Sequence, residues 1–243
     1  MLSTYKIVLS YDGTDYHGWQ KQPQRKTVQG TLEDVLFRFQ SQRIPVMGAG
    51  RTDAGVHALG QVAHFRAHLD LDDIELHRAL NGQLPHDIRI SSLSQVNKDF
   101  HARKSAHSKV YQYRICNQAS VSPFVVRYVL HWPPPLDLKK MQEAAPFFIR
   151  EADFTTFSSN RLLHPVRRVF HSEIKQHKGE IIYTVEATGF LRYMVRTMVG
   201  TLLEVGKGRL EPDRINALFD QKKRSLSAPT APAKGLCLLQ VKY

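Results

Sequence analysis

The chain of 243 residues is 42% hydrophobic and 23% charged, a balance that excludes an intrinsically disordered protein and suits one large domain or two small ones. Its 34 Lys and Arg against 22 Asp and Glu give a net charge of +12, an excess that points to a polyanionic partner, with nucleic acid foremost. Two cysteines, Cys116 and Cys237, are too few for a disulfide framework and not at metal-binding or redox-pair spacing, so both are expected to be reduced core residues. No stretch approaches the ~20 apolar residues of a membrane span, and the first residues lack the basic and apolar segments of a signal peptide, so a cytoplasmic protein without membrane contact is expected.

Tyr5, Ile7, Leu9 and Tyr11 alternate with Lys6, Val8 and Ser10, which predicts a half-buried strand ending at the Asp12-Gly13 turn. From Thr27, a candidate N-cap, apolar residues at Val28, Leu32, Val35, Leu36 and Phe39 mark one face of a helix. Gly48 to Gly60 holds four glycines in thirteen residues and reads as a shaped loop, with strand resuming over Val62 to Arg66. Asp72 or Asp73 caps a second helix that carries Ile74, His77, Leu80 and Gln83 or Leu84 on one face, Pro85 ends it, and Ile88 to Leu93 returns to strand.

Lys109 to Cys116 alternates again, with Tyr111, Tyr113 and Ile115 on one face, before Pro133-Pro134-Pro135 interrupts regular structure. Helical spacing recurs at Leu138, Met141, Ala145 and Phe148 and over Leu191 to Val205. Between them Val169 to Lys175 and Ile181 to Ala187 predict a hairpin turning near Lys178-Gly179. Ile215 to Phe219 is expected as a short helix and Leu236 to Val241 as a closing strand. The order predicts an α+β chain of two subdomains, 1–104 and 105–243, with largely antiparallel sheets flanked by helices.

The string Gly48-Ala49-Gly50-Arg51-Thr52-Asp53-Ala54-Gly55-Val56-His57-Ala58 sets a carboxylate, a guanidinium and an imidazole among glycines that let the backbone approach a ligand. An Asp beside Gly also commonly caps a turn, and composition alone does not separate the two roles. His57 lies four residues beyond Asp53, yet no Ser or Cys nucleophile and no His/Cys cluster at ligand spacing accompanies it, so it is expected to be structural or to contact RNA.

Arg51-Thr52-Asp53-Ala54-Gly55-Val56-His57-Ala58 resembles the defining motif of the tRNA pseudouridine synthase A family. The resemblance continues through Tyr11-Asp12-Gly13, Gly18-Trp19-Gln20, Thr27-Val28-Gln29-Gly30, Asp99-Phe100-His101-Ala102-Arg103, Asp153-Phe154-Thr155-Thr156-Phe157 and Met194-Val195-Arg196, in the family's order. It departs at Gly235-Leu236-Cys237-Leu238, where an aromatic is expected in place of Cys237.

The resemblance implies the pseudouridine synthase fold with a catalytic cleft between the subdomains, and isomerisation of uridine to pseudouridine at positions 38, 39 and 40 in the anticodon stem-loop of tRNA. It implies Asp53 as the catalytic carboxylate and Arg196 as the cation that pairs with it. Tyr111 would stack on the uracil and remove the C5 proton, and Arg51 would hold the target nucleotide out of the stack. It implies a homodimer, no metal and no cofactor. The alternatives are a non-catalytic RNA-binding protein and an Asp-dependent glycosidase that would release free uracil.

Overall fold

The structure is a computed structural model and describes residues 2–159 and 164–243. The chain divides into two compact units, Met1–His107 with Leu238–Tyr243, and Ser108–Cys237.

In the first unit β1 (Ser3–Tyr11) leads to α1 (Val28–Gln40), β2 (Met47–Gly48), β3 (His57–Ala67), α2 (Asp73–Gln83) and β4 (Ile88–Val96). β1 lies between β3 and β4 and is antiparallel to both. Its alternation is real, because Tyr5, Ile7, Leu9 and Tyr11 are all buried. Thr27 caps α1 by accepting from the Gly30 N–H at 3.2 Å, and the helix buries Val28, Leu32, Val35 and Leu36.

Two expectations are corrected here. The glycine-rich loop is shorter than the span from Gly48 to Gly60, because β2 already uses Met47–Gly48 and β3 starts at His57, leaving 49–56 outside the strands. In α2 the buried residues are Leu76 and Leu80, while Ile74 is 63% exposed. Ile74 and Leu76 lie about 200° apart around a helix of 3.6 residues per turn, so burial of Leu76 and Leu80 turns Ile74 outward. Asp72 and Glu75 form a reciprocal capping box, with the Glu75 N–H donating to Asp72 at 2.8 Å and the Asp72 N–H donating to Glu75 at 3.2 Å. The Asn81 amide ties the helix to β4, donating to the Ile90 carbonyl and accepting from the Ile90 N–H, each at 2.9 Å.

The second unit runs β5 (Ser108–Cys116), β6 (Leu130–His131), α3 (Leu138–Ala144), β7 (Glu151–Asp153), β8 (Val166–His177), β9 (Glu180–Ala187), α4 (Met194–Gly206) and α5 (Arg214–Gln221). β5, β9, β8 and β7 pair antiparallel in that order, and β6 lies parallel to β5. The β8–β9 hairpin turns at Lys178 and Gly179, both at positive φ (48° and 81°), as a two-residue hairpin loop of primed type requires.

The helical pattern expected through Phe148 ends as α-helix at Ala144 and continues as a 3-10 turn over Ala145–Phe148, where Pro146 lacks the N–H an α-helix needs. The pattern expected from Leu191 begins as helix only at Met194, because Tyr193 adopts φ 64° and breaks the entry. α4 is buried on nearly all sides, and Gly200 admits the Pro229 carbonyl, which would lie 1.9 Å from a Cβ there. Phe148, Phe154, Phe157 and Phe219 form an aromatic cluster with ring centroids 5.0 to 6.3 Å apart.

β10 (Leu236–Lys242) closes the chain, and from Leu238 onward it belongs to the first unit, beside β3. The sequence pattern had assigned this strand to the second half. The close fit of Gly60 explains its place, since a Cβ there would meet the Leu239 carbonyl at 2.3 Å. Lys242 accepts from the His107 N–H at 2.8 Å, and the Tyr243 hydroxyl donates to the Ala102 carbonyl at 2.8 Å. Neither cysteine is in a disulfide, but Cys237 is only half-buried, unlike Cys116. No helix among the described residues is long and apolar enough to cross a membrane.

Replacing Asp72 by Ala removes the cap of α2 without touching the core. We expect a loss of about 1 kcal/mol, read as a lower midpoint with unchanged slope in denaturant unfolding.

Candidate active site

The loop between β2 and β3 is held from beneath by the segment that follows β1. Gly13 and Gly18 belong to that segment, and both lie flush against loop backbone. A Cβ on Gly13 would sit 2.0 Å from the Val56 carbonyl oxygen, and one on Gly18 would sit 2.5 Å from that of Thr52. Gly18 also has φ +85°, which an L side chain rarely adopts. Gly48 packs against the face of Trp19, 2.5 Å from where a Cβ would stand.

Hydrogen bonds fix the contact. The Trp19 N–H donates to the Thr52 carbonyl at 3.0 Å, and the Gly55 N–H donates to the Tyr16 carbonyl at 3.2 Å. The Val56 N–H closes a turn onto the Asp53 carbonyl at 3.1 Å, with Gly55 at φ 76° in the third position, where a type II turn needs a positive φ. The backbone carbonyl of Asp53 therefore serves the turn. Asp53 itself is half-buried between the exposed Arg51 and Ala54 on one side and buried Thr52 and Val56 on the other.

His57 is 5% exposed, which assigns it a structural place and removes it as an RNA contact. Its Nδ1 accepts from the Gly13 N–H at 3.1 Å and lies 3.2 Å from Asp12 Oδ1. The first bond needs Nδ1 unprotonated and the second needs it protonated, so they are alternative states of one ring. Asp12 Oδ1 already accepts from the Thr14 N–H at 2.9 Å and the Thr14 hydroxyl at 2.6 Å.

Tyr111, Tyr113 and Arg196 lie in the second unit. Tyr111 is buried on β5 with its ring edge-on to Phe190, centroids 5.1 Å apart at 85°. Tyr113 is fully buried, its hydroxyl donates to the Pro232 carbonyl at 2.8 Å, and its ring lies on Gly235, where a Cβ would be 2.6 Å away. Burial pushes its phenol well above the usual range, as suits a packing residue.

Arg196, in the first turn of α4, donates from Nε to the Ala231 carbonyl at 2.8 Å, and the Ala231 N–H returns a bond to the Arg196 carbonyl at 3.0 Å. Its guanidinium lies 4.9 Å over the Tyr193 ring, while that of Arg192 lies 5.0 Å from the same ring. Arg192 precedes the helix, since the left-handed Tyr193 stands at its N-cap.

The sequence signal missed Tyr193 and the stretch over 228–232 as supports of Arg196. Tyr193 is an aromatic between two arginines, and the stretch over 228–232 is rich in Ala and Pro, a composition that reads as a plain loop. The 20 Lys and Arg against 11 Asp and Glu in Ser108–Cys237, compared with 14 against 11 in the remainder, place most of the net positive charge in the second unit.

A sequence profile of the family described as "tRNA pseudouridine synthase" matches residues 7–103 and 144–243. Over its length the chain is 42% identical to a tRNA pseudouridine synthase A of Thermodesulfovibrio yellowstonii, covering 98% of each chain. It is 41% identical to a protein of the same name from Caldicellulosiruptor saccharolyticus, again over 98% of each. A third, from Methylacidiphilum infernorum, is 42% identical over 98% of this chain and 95% of its own.

The clamp predicts a specific sensitivity. Gly18→Ala should lower kcat at least about tenfold and lower stability by about 1 to 2 kcal/mol through left-handed strain alone. Gly82→Ala, with nothing within 4 Å of the new Cβ, should leave turnover unchanged. Steady-state kinetics and thermal unfolding of both variants check this.

Proposed function

Because this chain belongs to the tRNA pseudouridine synthase family, we propose that it isomerises uridine to pseudouridine at positions 38, 39 and 40 of the tRNA anticodon stem-loop, with Asp53 as the catalytic carboxylate. The observation that carries this reading is the buried clamp under the loop, which sets one carboxylate on a turn beside an exposed arginine.

The reaction breaks the bond from N1 of uracil to C1′ of ribose, turns the base, and joins C5 to C1′. The C5 proton is released, N1 gains a proton, and no other atom is exchanged. A carboxylate can begin it by attack at C1′ or C6, or by taking the ribose 2′ proton. In each case the carboxylate must be ionised, and a neighbouring cation favours that form. We assign Arg196 to that task, Tyr111 to the uracil and its C5 proton, and Arg51 to holding the extruded nucleotide.

Extrusion from a stem costs a few kcal/mol, which inserted side chains offset. Arg51 is exposed and two residues from Asp53, as that task requires. The net charge of +12 suits an RNA partner recognised by backbone and shape, and such recognition fits an enzyme acting on three neighbouring uridines in varied sequence. A cytoplasmic homodimer is part of the same reading.

The test is nucleoside analysis of tRNA after incubation with the protein, together with mapping of the altered positions. Pseudouridine within the anticodon stem-loop and no free uracil is the expected result. Free uracil would establish the glycosidase instead, and bound but unaltered tRNA would establish a binding protein.

A further inference from the structure

We infer that Tyr11 is a positioning residue for this reaction, acting on Asp53 through Thr52; the inference rests on Asp53 being the reacting carboxylate. Tyr11 is the last residue of β1 and 4% exposed, so its phenol is screened from solvent. Its hydroxyl lies 2.9 Å from Thr52 Oγ1 in a buried hydrogen bond, and Thr52 directly precedes Asp53.

The same residue is gripped twice. Its carbonyl takes the Trp19 N–H at 3.0 Å, and its hydroxyl is hydrogen-bonded to that of Tyr11, so backbone and side chain are both fixed. One step further back, the Gly50 carbonyl accepts from Gln61 Nε2 at 3.0 Å. Gln61 is wholly buried, and the same Nε2 lies 3.5 Å from the Tyr11 oxygen, at the outer limit of a hydrogen bond.

Tyr11 and Gln61 meet because the ladder between β1 and β3 slips at this point. Leu9 stands opposite Gln61 but Tyr11 stands opposite Ala58, so β3 carries one extra residue beside the loop. A bulge of this kind re-aims side chains at the end of a pairing.

The physical consequence is directional. Thr52 and Asp53 share a peptide plane, so rotating Thr52 swings the carboxylate that follows it. A displacement near 1 Å at a reacting group can cost about a hundredfold in rate. The apolar ring of Tyr11 fills the core, while its hydroxyl sets the angle of Thr52. The two contributions can be separated by removing the oxygen alone.

The experiment measures kcat and KM for pseudouridine formation in tRNA, with thermal midpoints, for wild type, Tyr11→Phe, Thr52→Val, the double variant, Thr52→Ser and Asp53→Asn. Tyr11→Phe and Thr52→Val should each lower kcat by about ten- to a hundredfold with KM changed less than about twofold. The double variant should be no worse than the weaker single, because both remove one shared bond. Thr52→Ser keeps the hydroxyl and should stay within about threefold of wild type.

Unchanged kcat in folded Tyr11→Phe, losses that multiply in the double variant, or a loss confined to KM or to the thermal midpoint would each overturn the inference. Should Tyr11→Phe fail to fold, Thr52→Val against Thr52→Ser decides by the same criteria. Turnover by Asp53→Asn would instead remove the catalytic assignment on which the inference rests. An inactive Asp53→Asn beside a fully active Tyr11→Phe would remove the inference alone.

Discussion

The backbone around Asp53 lies directly on the backbone of the segment after β1, with no side chain between them at Gly13 or Gly18. This close approach is the constraint on which the rest of the site depends. A loop of eight residues outside the strands would sample many conformations, and ordering each residue costs about 1 to 2 kcal/mol. Here the ordering is offset by bonds to the end of β1, the segment after it and β3: Trp19 and Tyr11 to Thr52, Gln61 to Gly50, and Tyr16 to Gly55. Most of these groups are buried, where an unmade bond costs about 1 to 3 kcal/mol, so partial release of the loop is disfavoured at each point.

The arrangement also explains why the loop motif and the segments containing Gly13 and Gly18 form one structural unit despite their separation in sequence. The strand β1 is paired on both sides, by β3 and by β4, which makes its end a rigid reference. His57 adds a further tie by taking the Gly13 N–H, although its ring resembles a catalytic group on paper. What the chain places near the surface is one carboxylate, one arginine and a turn. A carboxylate is an unexpected group to present to a polyanion, and the excess of cations elsewhere, chiefly in Ser108–Cys237, supplies the attraction.

Much of this was legible from residue order. Alternation in β1 and β5, the Thr27 and Asp72 caps and the Lys178-Gly179 hairpin turn each follow from short-range rules, and the structure obeys them. Some of the failures depend on partners distant in sequence. Ile74 faces out because the core lies under Leu76 and Leu80, and β10 joins the first unit because Gly60 leaves room for Leu239. Helix α4 starts late because Tyr193 takes a left-handed conformation that no local pattern announces. The loop motif pointed to Asp53, but the roles of Tyr11 and Gln61 emerge only when a bulge brings two strands' side chains to the same loop.

The central claim is that the Asp53 carboxylate performs the isomerisation, and release of tritium from tRNA labelled at uridine C5 tests it most directly. Wild type should release tritium while Asp53→Asn, binding the same tRNA with similar affinity and unfolding at a similar temperature, releases none. Release by Asp53→Asn at the wild-type rate would contradict the account and assign the chemistry to another residue.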